Sequence, residues 1–106
     1  MNANDLKRMI IVGMREKMPK LETGVFNLDV VELPGNKVCV DIIYRGDEMF
    51  FYSPMVRVVY DQPTHQYALT IKDKENNISK KMCDEADLVD YIVAEFVAMK
   101  LDQEGV

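Results

Sequence analysis

Side chains that could carry chemistry are few in this chain: one histidine, His65, and two cysteines, Cys39 and Cys83. A catalytic imidazole needs a carboxylate to orient it and a nucleophile within reach. His65 stands in a turn after Pro63 and Thr64, and its neighbours in sequence offer no such pair. One histidine and two separated cysteines also lack the short paired spacing of a structural zinc site. Two cysteines this far apart read as buried thiols rather than as a bridge or a site.

Other motifs give no chemistry. There is no glycine-rich phosphate loop and no His-Glu-x-x-His. Ser53-Pro54 lacks the Gly-x-Ser-x-Gly setting of a hydrolase elbow. Arg45-Gly46-Asp47 spells an adhesion tripeptide but reads as turn chemistry between two strands. No catalytic, cofactor-binding or metal-ligating residue is assigned from sequence, and a non-enzymatic protein is expected.

Charge is unevenly spread. The net charge of the 106 residues is −5. Residues 1–22 carry five basic and three acidic groups, net +2, whereas residues 84–106 carry one basic and seven acidic groups, net −6. Asp84, Glu85, Asp87 and Asp90 crowd the start of a helix, where the macrodipole favours anions. Asp87 and Asp90 are also the groups that could meet a basic partner. An acidic chain with no basic stripe interleaved with aromatics argues against direct nucleic-acid binding. The longest apolar runs fall well short of the roughly 20 residues of a membrane span. The apolar run near the N-terminus is short and is followed at once by Arg15 and Glu16, so a cytoplasmic protein is expected.

The elements that position these groups follow from periodicity. Leu88, Val89, Ile92, Val93, Phe96 and Met99 fall at helical period in a helix from Asp84 to about Gln103, with Asp84 as N-cap. A first helix runs from about Asn4 to Met18, capped by Asn2 or Asn4 and stopped by Pro19. Leu6, Met9, Ile10, Gly13 and Met14 form its apolar face. Gly13 costs about 1 kcal/mol against Ala in mid-helix, which implies close packing against the sheet or the other helix. The eight methionines are a mild surplus. Met9, Met14 and Met99 read as gap-fillers in the core; the other reading is an adaptable Met-rich binding surface.

Between the helices the period changes to two. Residues 25–33 and 37–45 alternate around the turn Pro34-Gly35-Asn36. A three-residue loop pairs Leu33 with Lys37 and sets Val30 opposite Val40, Leu28 opposite Ile42 and Phe26 opposite Tyr44. One residue of slip would swap every side chain between faces. Gly46-Asp47 makes the next turn, and Met49 to Tyr52 continues as strand. Met55 to Tyr60 and Gln66 to Lys72 follow. Ile78 to Cys83 reads equally as an edge strand or a lead-in. The result is an α+β fold: helix, four- to five-stranded antiparallel meander, helix, folded as one domain. It forms a two-layer sandwich with both helices on one sheet face.

A solvated sheet face should alternate to polar. Here the second face carries Val31, Ile43, Phe50 and Tyr52 among Asn27, Lys37, Asp29 and Asp41, a pattern that marks a partner surface. The expectation is a small adaptor, chaperone-type subunit or inhibitor that binds another protein. Its contact residues are Ile43, Phe50, Tyr52, Val31, Asp87 and Asp90, and the simplest occupant of the face is a second copy as a homodimer. The alternative is a small-ligand-binding domain or minor enzyme with a cleft between sheet and helices, lined by Tyr44, Tyr60, Tyr67, His65 and Arg57.

Overall fold

Asn2 starts the first helix by reciprocal capping. Its side-chain oxygen accepts from the Asp5 amide at 2.8 Å, and the Asp5 carboxylate accepts from the Asn2 amide at 3.4 Å. This satisfies amide groups that a helix start otherwise leaves unpaired. Helix α1 then spans Ala3–Lys17 and buries Leu6, Ile10 and Met14, one side of each turn. The computed structural model describes residues 2–17, 26–35, 37–44, 55–72 and 75–104, with side chains for all of these except Tyr44 and residues 98–104.

Five strands follow: β1 Phe26–Leu33, β2 Lys37–Tyr44, β3 Met55–Asp61, β4 Gln66–Lys72 and β5 Ile78–Cys83. They pair in sequence order, each antiparallel to the next. Short connections favour such pairing between sequence neighbours. The β1–β2 register is the one that the three-residue loop implies, with Val30 opposite Val40 and Leu28 opposite Ile42. The left-handed residue of that loop is Gly35, φ 83°. Asn36, for which the same conformation is argued from sequence, lies outside the described residues. The Gly46-Asp47 turn, the Arg45–Glu48 pairing and the strand from Met49 to Tyr52 lie outside them as well. Residues 78–83 are a strand, which decides the ambiguity left by the sequence.

Helix α2, Glu85–Glu104, closes the chain and packs with α1 on one face of the sheet. Val40, Ile42, Val56, Val58, Tyr67, Leu69 and Ile71 from the sheet meet Leu6, Ile10 and Met14 of α1 and Leu88, Ile92 and Phe96 of α2 in one buried cluster. Phe26 and Leu28 pack against it from β1, and the Phe26 ring stands edge-on to Phe96 at 4.7 Å between centroids. Edge-to-face rings at this distance add to simple area burial. Two ion pairs tie α2 down at its sides: Lys17 to Asp90 at 2.9 Å and Lys81 to Glu95 at 2.6 Å.

Gly13 lies where α1 crosses α2. A methyl group placed there would come within 2.6 Å and 2.9 Å of the two Val89 methyl groups. The glycine is therefore a close-approach residue between the helices. Val89 is β-branched and rotationally stiff in a helix, so it cannot swing away cheaply. Gly13→Ala should gain about 1 kcal/mol in helix propensity and lose more by overpacking, typically about 1–3 kcal/mol. Chemical denaturation should show Gly13→Ala destabilised and Val89→Ala relieving that loss in the double variant. A Gly13→Ala chain as stable as the parent would mean that the helices do not meet there.

Phe96→Ala removes a nearly fully buried ring and its contact with Phe26. It should cost roughly 3–5 kcal/mol, a large part of the stability of a domain this size. A variant melting within a few degrees of the parent would contradict the docking of α2 on β1.

Candidate functional site

Strand parity decides what lies on the sheet face turned away from the helices. Residues paired across an antiparallel ladder share a face. The registers therefore align three rows on that face, each taking one residue from every strand. The first is Val31–Cys39–Val59–Ala68–Met82. The second is Asp29–Asp41–Arg57–Thr70–Lys80. The third is Asn27–Ile43–Met55–Lys72–Ile78. No described helix or strand packs over them. The first row is apolar from one edge of the sheet to the other. The second is acidic at β1 and β2, cationic at β3 and cationic again at β5.

At the centre the face is already dense. Asp41 is buried at 8% exposure, and the Arg57 guanidinium donates two hydrogen bonds to it, of 2.7 and 2.9 Å. Two parallel charge-assisted bonds are the strong form of this pairing. The carboxylate holds the Arg57 guanidinium above its ordinary pKa, mainly through the hydrogen bond. Cys39 is fully buried between Val31 and Val59. Burial pushes its thiol pKa up, Asp41 adds to that, and Arg57 opposes it. Towards β5 the face opens: Met82 is 55% and Ile78 65% exposed.

The residues singled out from sequence separate as follows. Val31 and Ile43 are half-buried on this face, in the first and third rows. Phe50 and Tyr52 lie outside the described residues. Asp87 and Asp90 are exposed on α2, on the other layer, and Asp90 already holds Lys17. The acidic helix and the sheet face are thus two surfaces, not one. The Asp41–Arg57 pair is the feature that sequence reasoning missed. Its two members alternate correctly within their own strands, but only the β2–β3 register brings them together.

Among the described residues, Tyr60, Tyr67, His65 and Arg57 are not brought together on one side of the sheet. Arg57 faces away from the helices, whereas Tyr60 and Tyr67 face them, with rings 4.9 Å apart. His65, in the left-handed region at φ 55°, meets the Tyr60 hydroxyl at 3.1 Å through Nδ1. The nearby carboxylate of Asp61 accepts from Thr64 instead, at 2.8 Å. The Tyr44 side chain is not among those described. Cys83 is a second free, buried thiol, on the helix side of the sheet, and burial raises its pKa above the ordinary value, with smaller contributions from Asp87 and Asp84. Raised thiol pKa values suit packing rather than nucleophilic attack at neutral pH. Among the described residues no three His, Cys, Asp or Glu side chains converge as a metal site, and no helix is long and apolar enough to cross a membrane.

A cavity of about 230 Å³ lies elsewhere, between α1 and the edge strand β1. It is lined by Lys7, Ile11, Met14, Arg15, Phe26, Asn27 and Leu28. None of the residues expected to line a cleft takes part in it.

With this geometry in hand, comparison with known proteins gives no relative: no family model, curated protein or solved structure matches the chain.

Tyr67 supplies a pH test of the core beneath the face. It is 1% exposed, and burial, helped by Glu85, Tyr60 and Cys83, pushes its pKa from the ordinary 10.0 up to about 12. The folded state therefore holds this proton more tightly than the unfolded state does. Its contribution to stability is complete below pH 10 and is lost as pH rises from 10 towards 12. Lys17 and Lys81, each raised by its carboxylate partner, lose their ion pairs in the same direction. The readout is accordingly a difference. Melting temperature should fall more steeply over that window in the parent than in Tyr67→Phe, and parallel curves would mean that the phenol is not buried.

Proposed function

We propose that this protein works by contact with another protein, not by catalysis, and that the sheet face away from the helices is the surface it uses. The observation that carries this reading is the apolar row Val31–Cys39–Val59–Ala68–Met82, which crosses all five strands on the side away from the helices and ends in the exposed Met82. Burying that row against a partner returns about 25 cal/mol per Å².

The occupant is a second copy, and the rows themselves argue for it. Two sheets can meet face to face about a two-fold axis parallel to β3. That rotation sets β1 of one copy over β5 of the other and each row over its own counterpart. Val31 then meets Met82 of the partner subunit, Cys39 meets the partner's Ala68, and the two Val59 side chains meet on the axis. In the polar row, Asp29 comes over the partner's Lys80 and Asp41 over the partner's Thr70. Both Arg57 groups reach the axis already neutralised by their own Asp41. A two-fold axis across the strands would instead set acidic groups against acidic groups where it runs through the polar row, and the apolar row against the charged one where it runs between the first two rows. Face-to-face sheets pack near −30°, so the central positions fit best.

Five strands span roughly 19 Å at about 4.8 Å per spacing. With strands about 23 Å long at about 3.3 Å per residue, the face covers roughly 440 Å², below the roughly 800 Å² per partner of a standard interface. The dimer is therefore concentration-dependent. Sedimentation of the parent should show a monomer–dimer equilibrium. Val59→Lys places two ammonium groups on the axis and should weaken it by about a hundredfold, since opposed like charges cost several kcal/mol. Melting should stay cooperative. Asp29→Lys or Lys80→Asp alone should also weaken the dimer, and the two together should restore it. A parent that sediments as monomer at its highest soluble concentration, or a charge-swapped pair that fails to recover, overturns the reading.

A further inference from the structure

We propose that the cavity between α1 and β1 binds a small amphipathic carboxylate: an apolar body with one anionic end. This goes beyond the contact function and does not depend on it, because the cavity lies between α1 and the edge strand and shares only the edge residue Asn27 with the three rows of the open face.

The lining divides by chemistry. Met14 is almost fully buried, and Ile11, Phe26 and Leu28 are half-buried around it. Together they make an apolar floor. Phe26 is held from behind by its edge-on contact with Phe96, so that wall is fixed before any ligand arrives. At the rim stand two cations, Lys7 and Arg15. They lie eight residues apart on one stripe of α1, about 12 Å along the helix axis, with Ile11 between them. Among the described residues neither has an ion-pair or hydrogen-bond partner, whereas Lys17, two residues further along α1, Arg57 and Lys81 each hold a carboxylate.

The remaining polar group narrows the choice. The Asn27 amide already donates to the Asp29 carboxylate at 3.1 and 3.3 Å. That leaves the two cations as the donors for a ligand, and both ask for an anion. The guanidinium fork of Arg15 matches a carboxylate edge-on, and Lys7, two turns away at the other end of the rim, adds longer-range attraction for an anion. An apolar floor beside them disfavours a compact, multiply charged anion, which would have to shed water over surface that offers nothing in return. The volume, smaller than the roughly 300 Å³ or more of sites for drug-sized molecules, limits the body to a short chain or a single ring. The chain as a whole is acidic at −5, so this local pair of free cations is set against the protein's general field.

The probe is sodium octanoate, compared with 1-octanol, which has the same chain and no charge. Titration calorimetry with the full chain at low salt should give saturable binding of octanoate, about tenfold tighter than octanol. Amide NMR shifts should centre on residues 7–15 and 26–28. Lys7→Gln combined with Arg15→Gln, at a half-buried and an exposed position, should reduce octanoate to the level of octanol and leave octanol unchanged. Ile11→Ser should weaken both ligands together. Val59→Lys, which addresses the open face, should leave octanoate binding as it is. Equal affinity for the two ligands in the parent, an unchanged octanoate affinity in the double variant, or shifts centred elsewhere would each overturn the assignment.

Discussion

A carboxylate that is nine-tenths buried on a sheet face must find a cation or leave the face. Asp41 finds Arg57, one strand away, and accepts both of its hydrogen bonds. This pair fixes more than its own geometry. Strands β2 and β3 are separated by ten residues in sequence, against three between β1 and β2. Sliding β3 by two residues would keep every apolar side chain on its proper face, yet set Asp41 opposite Val59 or Met55. Parity alone therefore leaves alternatives, and a buried, uncompensated charge excludes them. Once β2 and β3 are in register, β4 and β5 follow through short hairpins, and the three rows of the open face are set.

Much of this fold is legible in the sequence, for reasons that are local. The three-residue loop before Lys37 and the alternation on either side give the β1–β2 register residue by residue. The spacing of Leu88, Ile92 and Phe96 gives the buried stripe of α2, and a glycine amid good helix formers announces the contact that Gly13 makes with Val89. What was not legible depends on pairing at a distance. Asp41 and Arg57 each look like an ordinary outward-facing charge in their own strands. Strand β5 could not be assigned because five of its six residues are exposed. An edge strand whose helix-side Lys81 reaches Glu95 and lies 5.8 Å from the Tyr91 ring has no apolar alternation to display. The candidate cavity was missed for a related reason. Its cations come from a helix and its floor from both a helix and a strand, so no single stretch carries the pattern.

The two surfaces use opposite strategies. The sheet face away from the helices, which we propose pairs with a second copy, presents rows that take one residue from each of five strands. The cavity is concave, small and built from an apolar floor under unpaired cations. Among the described acidic residues of α2, Asp90 and Glu95 hold Lys17 and Lys81, and so fasten the helix to α1 and to β5.

The order of the strands also shapes how the chain reaches this state. Every strand pairs with its neighbour in sequence, so the sheet is made of hairpins whose closure is cheap and fast. The meeting of α1 and α2 is the reverse: Gly13 and Val89 lie towards opposite ends of the chain, and joining them closes a loop that contains the whole sheet. Loop-closure entropy must be met before that contact gives anything back. The topology thus assigns the low-contact-order steps to the sheet and leaves the coming together of the two helices as the late, cooperative step that covers Val40, Ile42, Val56 and Val58. Until it occurs, both faces of the sheet are open to other chains, and the interval between hairpin formation and helix docking is where this protein is most exposed to aggregation.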